Sequence, residues 1–203
     1  MTANTDSSGS STTAPRRRST STDIALIAAF AALIAVCALL PAIHVGAGLV
    51  PITLQTFGVL LAGAVLGAKR GFLAVLLYVV VGAAGLPVFS GGKAGLGVLT
   101  GPTGGYIVGF ALAALLCGFL VERLPRGTVS RSVPLVFLAG IVSSALFIHT
   151  LGMAGLVLRA DLSWTEAWNT DKVFWIGDVV KNIFMAIVAT AVHRAFPDLL
   201  RRA

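Results

Sequence analysis

The sequence predicts an all-α integral membrane protein of six transmembrane helices, with both termini on the cytoplasmic side. Three observations carry that reading. Charged residues make up only 11% of the 203-residue chain and hydrophobic ones 57%, whereas a soluble domain carries about a quarter charged residues. Six apolar segments recur, each long enough for a helix to cross a hydrocarbon core roughly 30 Å thick. Lys and Arg crowd alternate loops. A membrane β-barrel is excluded, because its strands would alternate in much shorter pieces. In a soluble protein the net charge of +7 would point to nucleic acid. Here the basic residues sit in short loops, where they set topology, so no nucleic acid partner is expected.

Residues 1–22, MTANTDSSGSSTTAPRRRSTST, are Ser/Thr-rich and lack apolar periodicity, which predicts a disordered tail. The first segment, Ile24–Leu40, follows. Tail and segment together are similar to a secretory signal, but 17 residues exceed a typical signal core, and more spans follow. Residues 34–37, IAVC, lack the small residue that a lipoprotein site needs before its cysteine. A retained first span is expected. Its alanines fall four apart, at 25 and 29, 28 and 32, 31 and 35, a spacing that lets another backbone approach closely. This face is a candidate contact for another protein. The second segment, Ile52–Ala68, contains Gly63-x-x-x-Gly67, read as internal packing. Gly71–Val88, Gly104–Val121, Val133–Leu158 and Val173–Val192 complete the six. The helical unit is expected over 23–196, with a second tail over 197–203.

The loops orient the bundle. The tail with Arg16 to Arg18, the Lys69–Arg70 turn, the Arg123–Arg131 loop and the carboxyl end hold eleven basic residues, against three in the other loops. The basic side is cytoplasmic by the positive-inside rule. The three outer connections are unusual. Residues 41–51, PAIHVGAGLVP, are apolar yet broken by two prolines. Residues 89–104, FSGGKAGLGVLTGPTG, contain six glycines but keep Leu96, Val98 and Leu99. A disordered linker would be polar, so this loop is expected to fold against the bundle. Residues 161–172, DLSWTEAWNTDK, carry Ser163-x-x-Glu166, a capping box, and predict a short helix with Trp164 and Trp168 on one face.

The sixth segment contains GDVVKN, Gly177–Asn182. On a helix, Trp175, Asp178, Lys181, Asn182 and Met185 form one stripe. An ionised residue at mid-membrane costs roughly 2.5–3.5 kcal/mol on insertion scales, so the stripe faces the bundle interior or a wet cavity, nearer the outside than the cytoplasm. One reading is an ion pair that neutralises itself and locks helices together. The other is a site for a small polar ligand. Lys181 would meet an anionic end and Asp178 would accept from N–H groups, both as charge-assisted bonds, with Lys93 as a second cation.

Enzyme chemistry finds little support. Ser143 and Ser144 lie about 120° and 140° around a helix from His149, so no Ser–His couple shares a face. His44, His149 and His193 fall at different depths and cannot jointly hold a metal. His149 is expected to be a hydrogen-bonded core histidine. Gly92-Lys93 is followed by Ala94, so there is no phosphate-binding P-loop. Cys37 and Cys117 lie in apolar runs and are expected to pack as small hydrophobes. A membrane enzyme using Asp178 as a general base, and a purely structural scaffold, stand as alternatives.

Three stretches, VPITLQTFGVLLAGAVLGAKRG (50–71), GAAGLPVFSGGKAGLGVLTGPTGGYIVGF (82–110) and FWIGDVVKN (174–182), resemble the BioY family. These are biotin-binding substrate-capture (S) components of energy-coupling-factor (ECF) transporters. The resemblance covers about residues 24–195. It implies the six-helix S-component fold in a bacterial cytoplasmic membrane, and biotin capture from outside. Energy would come from a transmembrane T component and two cytoplasmic ATPases. A homo-oligomer is the expectation if the chain works without them. No enzyme activity and no cofactor are implied, biotin being the transported ligand. Carried over residue by residue, Asp178 and Lys181 would hold the ureido ring and carboxylate of biotin. Lys93 would approach its anionic tail, and the loop around Phe89–Thr103 would cover it. Gln55, Tyr106, Trp175 and Asn182 complete the implied site. Ala28 and Ala32 map onto the partner-binding face of the first helix. An S component for another small vitamin is the nearest alternative; thiamine or cobalamin would not need a lysine to meet a carboxylate.

Overall fold

A computed structural model describes residues 20–42, 50–125 and 127–200. The amino-terminal tail up to residue 19, His44 with most of the proline-flanked loop, Arg126 and residues 201–203 lie outside the described residues.

The chain folds as an all-helical bundle of six passes. They are α1 (Thr20–Leu39), α2 (Gln55–Leu66), α3 (Ala68–Ala83), α5 (Gly104–Arg123), a composite rod, and α8 (Trp164–Ala195); the short α4 (Leu96–Thr100) lies in the glycine-rich loop. The rod runs as α6 (Val133–Ser143), a π-helical turn (Ser144–His149) and α7 (Thr150–Arg159). Four of the passes, α1, α5, the rod and α8, are long and apolar enough to cross a membrane.

The second and third passes are shorter than the apolar segments suggest. α2 has 12 residues and α3 has 16. The reason is burial. α2 packs against α1, α3, α5 and α8, and every residue from Gly58 to Leu66 is buried. A helix wrapped by protein need not match the thickness of lipid. Gly67, at φ 84°, is the single residue between α2 and α3, a backbone shape that glycine adopts without penalty. The expected Lys69–Arg70 loop is therefore the first turn of α3. A side chain at Gly63 would run into the backbone of Ala114 on α5, so the glycine lets α2 and α5 touch. This is the internal packing expected of that position.

Three further boundaries differ from the sequence reading. Helix α1 begins at Thr20, so the last residues of the expected tail are helical. Leu199, expected in the second tail, is buried. Its carbonyl accepts from Arg70 Nη2 at 2.6 Å, and the same guanidinium meets Asp23 Oδ1 at 3.0 Å. One arginine thus ties both ends of the chain to α3 at the basic end of the bundle. Finally, the expected short helix over 161–172 and the sixth segment are one 32-residue helix. The capping box forms as expected, with Glu166 N donating to Ser163 Oγ and Ser163 N to Glu166 Oε2. After it, no Gly or Pro intervenes before Gly177, so nothing stops the helix. Trp164 and Trp168 lie exposed on its first turns.

The glycine-rich loop folds against the bundle. Phe89 is buried, with its ring edge-on to Tyr78 at 5.5 Å. Phe89 N donates to Lys93 O, and Gly95 N to Gly82 O. Arg159 donates to the Leu99 carbonyl from the far side. Val98 and Leu99 are half-buried, whereas Leu96 is exposed.

Candidate functional site

A cavity, about 710 Å³ with the open solvent at its mouth included, opens at the end of the bundle away from the basic loops. α8 contributes Phe174, Asp178 and Lys181 to its wall, α5 contributes Tyr106, Ile107 and Phe110, and the π turn contributes Ile148 and His149. Thr53 just before α2 and Gln55 and Thr56 in its first turn add to the wall; the glycine-rich loop covers the site with Phe89, Ser90 and Lys93. Apolar rings and aliphatic chains thus surround a small set of convergent polar groups.

Asp178 and Lys181 are in contact, one helical turn apart. Both readings of the pair meet here, since the two residues pair and also line the cavity. The carboxylate is shared out. Oδ1 accepts from Lys181 and from Thr56 Oγ1 at 3.1 Å, and Oδ2 lies 3.1 Å from His149 Nε2. Lys181 Nζ also donates to the Thr53 carbonyl at 3.0 Å. An ammonium has three N–H donors, so one of them stays available to a ligand. Thr53 lies just before α2 and Thr56 in its first turn, so the start of this helix brings a backbone carbonyl and a hydroxyl to α8.

Behind His149 lies a second carboxylate. His149 Nδ1 sits 2.8 Å and 3.0 Å from the two oxygens of Asp171, which is fully buried. Tyr106 OH donates to Asp171 at 2.9 Å and Trp175 Nε1 at 3.0 Å. The Trp175 ring stacks on His149 with centroids 4.6 Å apart. Carboxylates only accept, so all these contacts are satisfied when both imidazole nitrogens carry hydrogen. In that state two carboxylates face two cations, which makes the buried cluster tolerable in a membrane interior.

Six of the sequence-predicted residues, Asp178, Lys181, Lys93, Phe89, Gln55 and Tyr106, converge on the cavity. Lys93 is exposed at its rim. Gln55 is oriented by a 2.7 Å bond from its Nε2 to Tyr78 OH, which in turn donates to the Val88 carbonyl. The other two do not reach the cavity wall. Asn182 is buried beneath Asp178 and donates to its backbone carbonyl at 2.9 Å, with its side-chain oxygen against α6 near Gly140. Trp175 braces His149 and Asp171 instead. Ala28 and Ala32 are exposed on α1, as a contact face requires.

Sequence reasoning missed Asp171, Thr53, Thr56 and the site position of His149. Asp171 was legible in principle. It precedes Asp178 by seven residues, about 20° off the same helical face, once the capping box is taken as the start of the whole helix. His149 is a hydrogen-bonded core histidine, as expected, but its partners are the carboxylates of the site. Among the described residues no group of His, Cys, Asp and Glu is placed to hold a metal ion.

Residues 10–198 match the sequence profile of the BioY family. The chain is 41% identical over 183 residues to the biotin transporter BioY of Rhizobium etli, covering 89% of this chain and 98% of that one. The Rhodobacter capsulatus biotin transporter BioY is 42% identical, over 88% and 96% of the two chains, and that of Thermotoga maritima is 53% identical, over 72% and 83%. A crystal structure of the S-component for biotin from an ECF-type ABC transporter superposes with a TM-score of 0.82. That match has 26% identity and covers 89% of this chain and 95% of the other. The bundle is therefore the S-component fold of a membrane transporter, and the chain belongs to the BioY family.

Proposed function

We propose that the chain captures biotin and delivers it across the bacterial cytoplasmic membrane as the S component of an ECF transporter. The observation that carries this reading is the Asp178–Lys181 pair in the wall of an otherwise aromatic and aliphatic cavity, in a chain so similar to proteins named biotin transporters. Biotin has two ureido N–H donors, a carbonyl acceptor, an apolar sulfur ring and a carboxylate. Asp178 accepts from the ureido N–H groups. Lys181 offers its remaining N–H to a ligand oxygen. Lys93, at the rim, supplies positive charge for the carboxylate, and the rings of Phe89, Phe110 and Phe174 enclose the apolar body. Gln55 and Tyr106 face the same space as further polar contacts. Asn182 and Trp175 act from behind the wall.

Transport energy comes from partners, a T component docked on the Ala28–Ala32 face of α1 and two cytoplasmic ATPases. The basic end, with Arg70, Arg123 and Arg194, faces the cytoplasm, so the cavity opens outward. Calorimetric titration of the detergent-solubilised full chain tests the ligand. Saturable binding of biotin at one site per chain, with none for thiamine or cobalamin, is the expected result. Absence of biotin binding overturns the reading.

A further inference from the structure

Asp171 has no access to the cavity, yet it gathers three side-chain donors on one fully buried carboxylate. Nothing in the ligand chemistry above requires it. Its effect passes through His149. The imidazole is fixed at Nδ1 by both Asp171 oxygens and on one face by the Trp175 ring. Its Nε2 then meets Asp178 Oδ2, the one carboxylate oxygen that neither Lys181 nor Thr56 touches. Without His149, both remaining contacts pull on Oδ1 and the carboxylate is free to turn about its last bond. With His149, the plane of Asp178 is set, and so are the directions in which its remaining lone pairs point.

We infer that Asp171 and His149 are positioning residues that fix Asp178 as an oriented, ionised acceptor for the N–H end of the ligand. Selectivity at that end is thereby controlled by a carboxylate that the ligand never meets. The inference rests on the proposed binding of biotin. The charged and titratable groups around His149 are Asp171, Asp178 and Lys181 from α8 and Tyr106 from α5, and all belong to the one network.

The test compares three ligands: biotin, biotin methylated on one ureido nitrogen, and biotin carboxamide. The proteins are the solubilised parent chain, Asp171→Asn and His149→Gln. Loss of one buried hydrogen bond to a charged group should make the parent prefer biotin over the methylated analogue by about tenfold or more. Both variants should lower that preference several-fold while leaving the preference for biotin over the carboxamide unchanged. In an Asp178→Asn background, Asp171→Asn should add no further change, the signature of residues acting through one group. Asp171→Asn keeps the size and shape of the side chain, so it decides the question if His149→Gln fails to fold. Variants that weaken all three ligands alike, or keep the parent's preference at the ureido end, overturn the positioning role and leave biotin capture standing. A parent chain that does not bind biotin overturns both.

Discussion

At the residue scale, Asp178 is the centre of the site because it is the point where donors from three elements meet. Removing it leaves Lys181 and His149 facing each other without their shared counter-charge. Asp178→Ala should therefore weaken biotin binding by about a hundredfold or more, since a buried donor left unpaired costs about 1–3 kcal/mol and this carboxylate serves several. Lys181→Ala should act in the same direction. Lys93→Ala should cost much less, because an exposed charge is screened by solvent. Titration calorimetry on the three variants checks the ranking; equal losses would contradict it. Asp178 and Lys181 were legible in the sequence because charge inside a long apolar run is rare and must face something polar. Asp171 was legible only through the capping box and helical spacing, because it falls where the polar outer stretch and the apolar run join, and hydropathy alone assigns it to a loop.

At the element scale, α2 and the π turn show what hydropathy cannot report. An apolar run reads the same whether it touches lipid or protein, so the length of α2 could not be inferred from its composition. Likewise a π turn adds no residue type that distinguishes it from an α-helix, although such turns recur at functional sites. Here it ends on His149, at the wall of the cavity. Two expectations belong to this scale. Gly63→Leu should destabilise the protein by about 1–3 kcal/mol or more, the usual range for overpacking, because the obstacle is the backbone of Ala114 rather than a movable side chain. A lowered unfolding midpoint in detergent is the readout. Ala28→Leu, on the exposed face of α1, should leave biotin binding unchanged but reduce uptake by cells that carry the energising partners. Loss of binding in the solubilised variant would contradict that division of labour.

At the scale of the whole molecule, the charge pattern and the outer loops divide the bundle into two ends. The basic end is closed by ties between distant segments. Arg70 joins Asp23 to Leu199, and Glu122 accepts from the Ala68 amide at 3.0 Å. The other end is hollow. The sequence conveyed this polarity through the distribution of Lys and Arg and through the special composition of three outer connections. It also conveyed that the glycine-rich connection folds against the bundle, but not that the tryptophan-containing connection is the start of the last helix, because its polar composition reads as a separate short element. A ligand that binds only the folded bundle adds stability in proportion to its occupancy. Biotin at a hundred times its dissociation constant should add about 2.7 kcal/mol and raise the unfolding midpoint by several degrees. A midpoint unmoved by biotin would contradict occupancy of the cavity.

The wrapped, 12-residue α2 has a consequence for synthesis of the protein. At 1.5 Å per residue it is about 18 Å long, shorter than the hydrocarbon core is thick, and the surfaces of α5 and α8 that cover it are translated after it. The burial of α2 is therefore completed only after α8 has been made. The binding chamber, whose charged wall lies on that last helix, comes into existence only when the ribosome has finished.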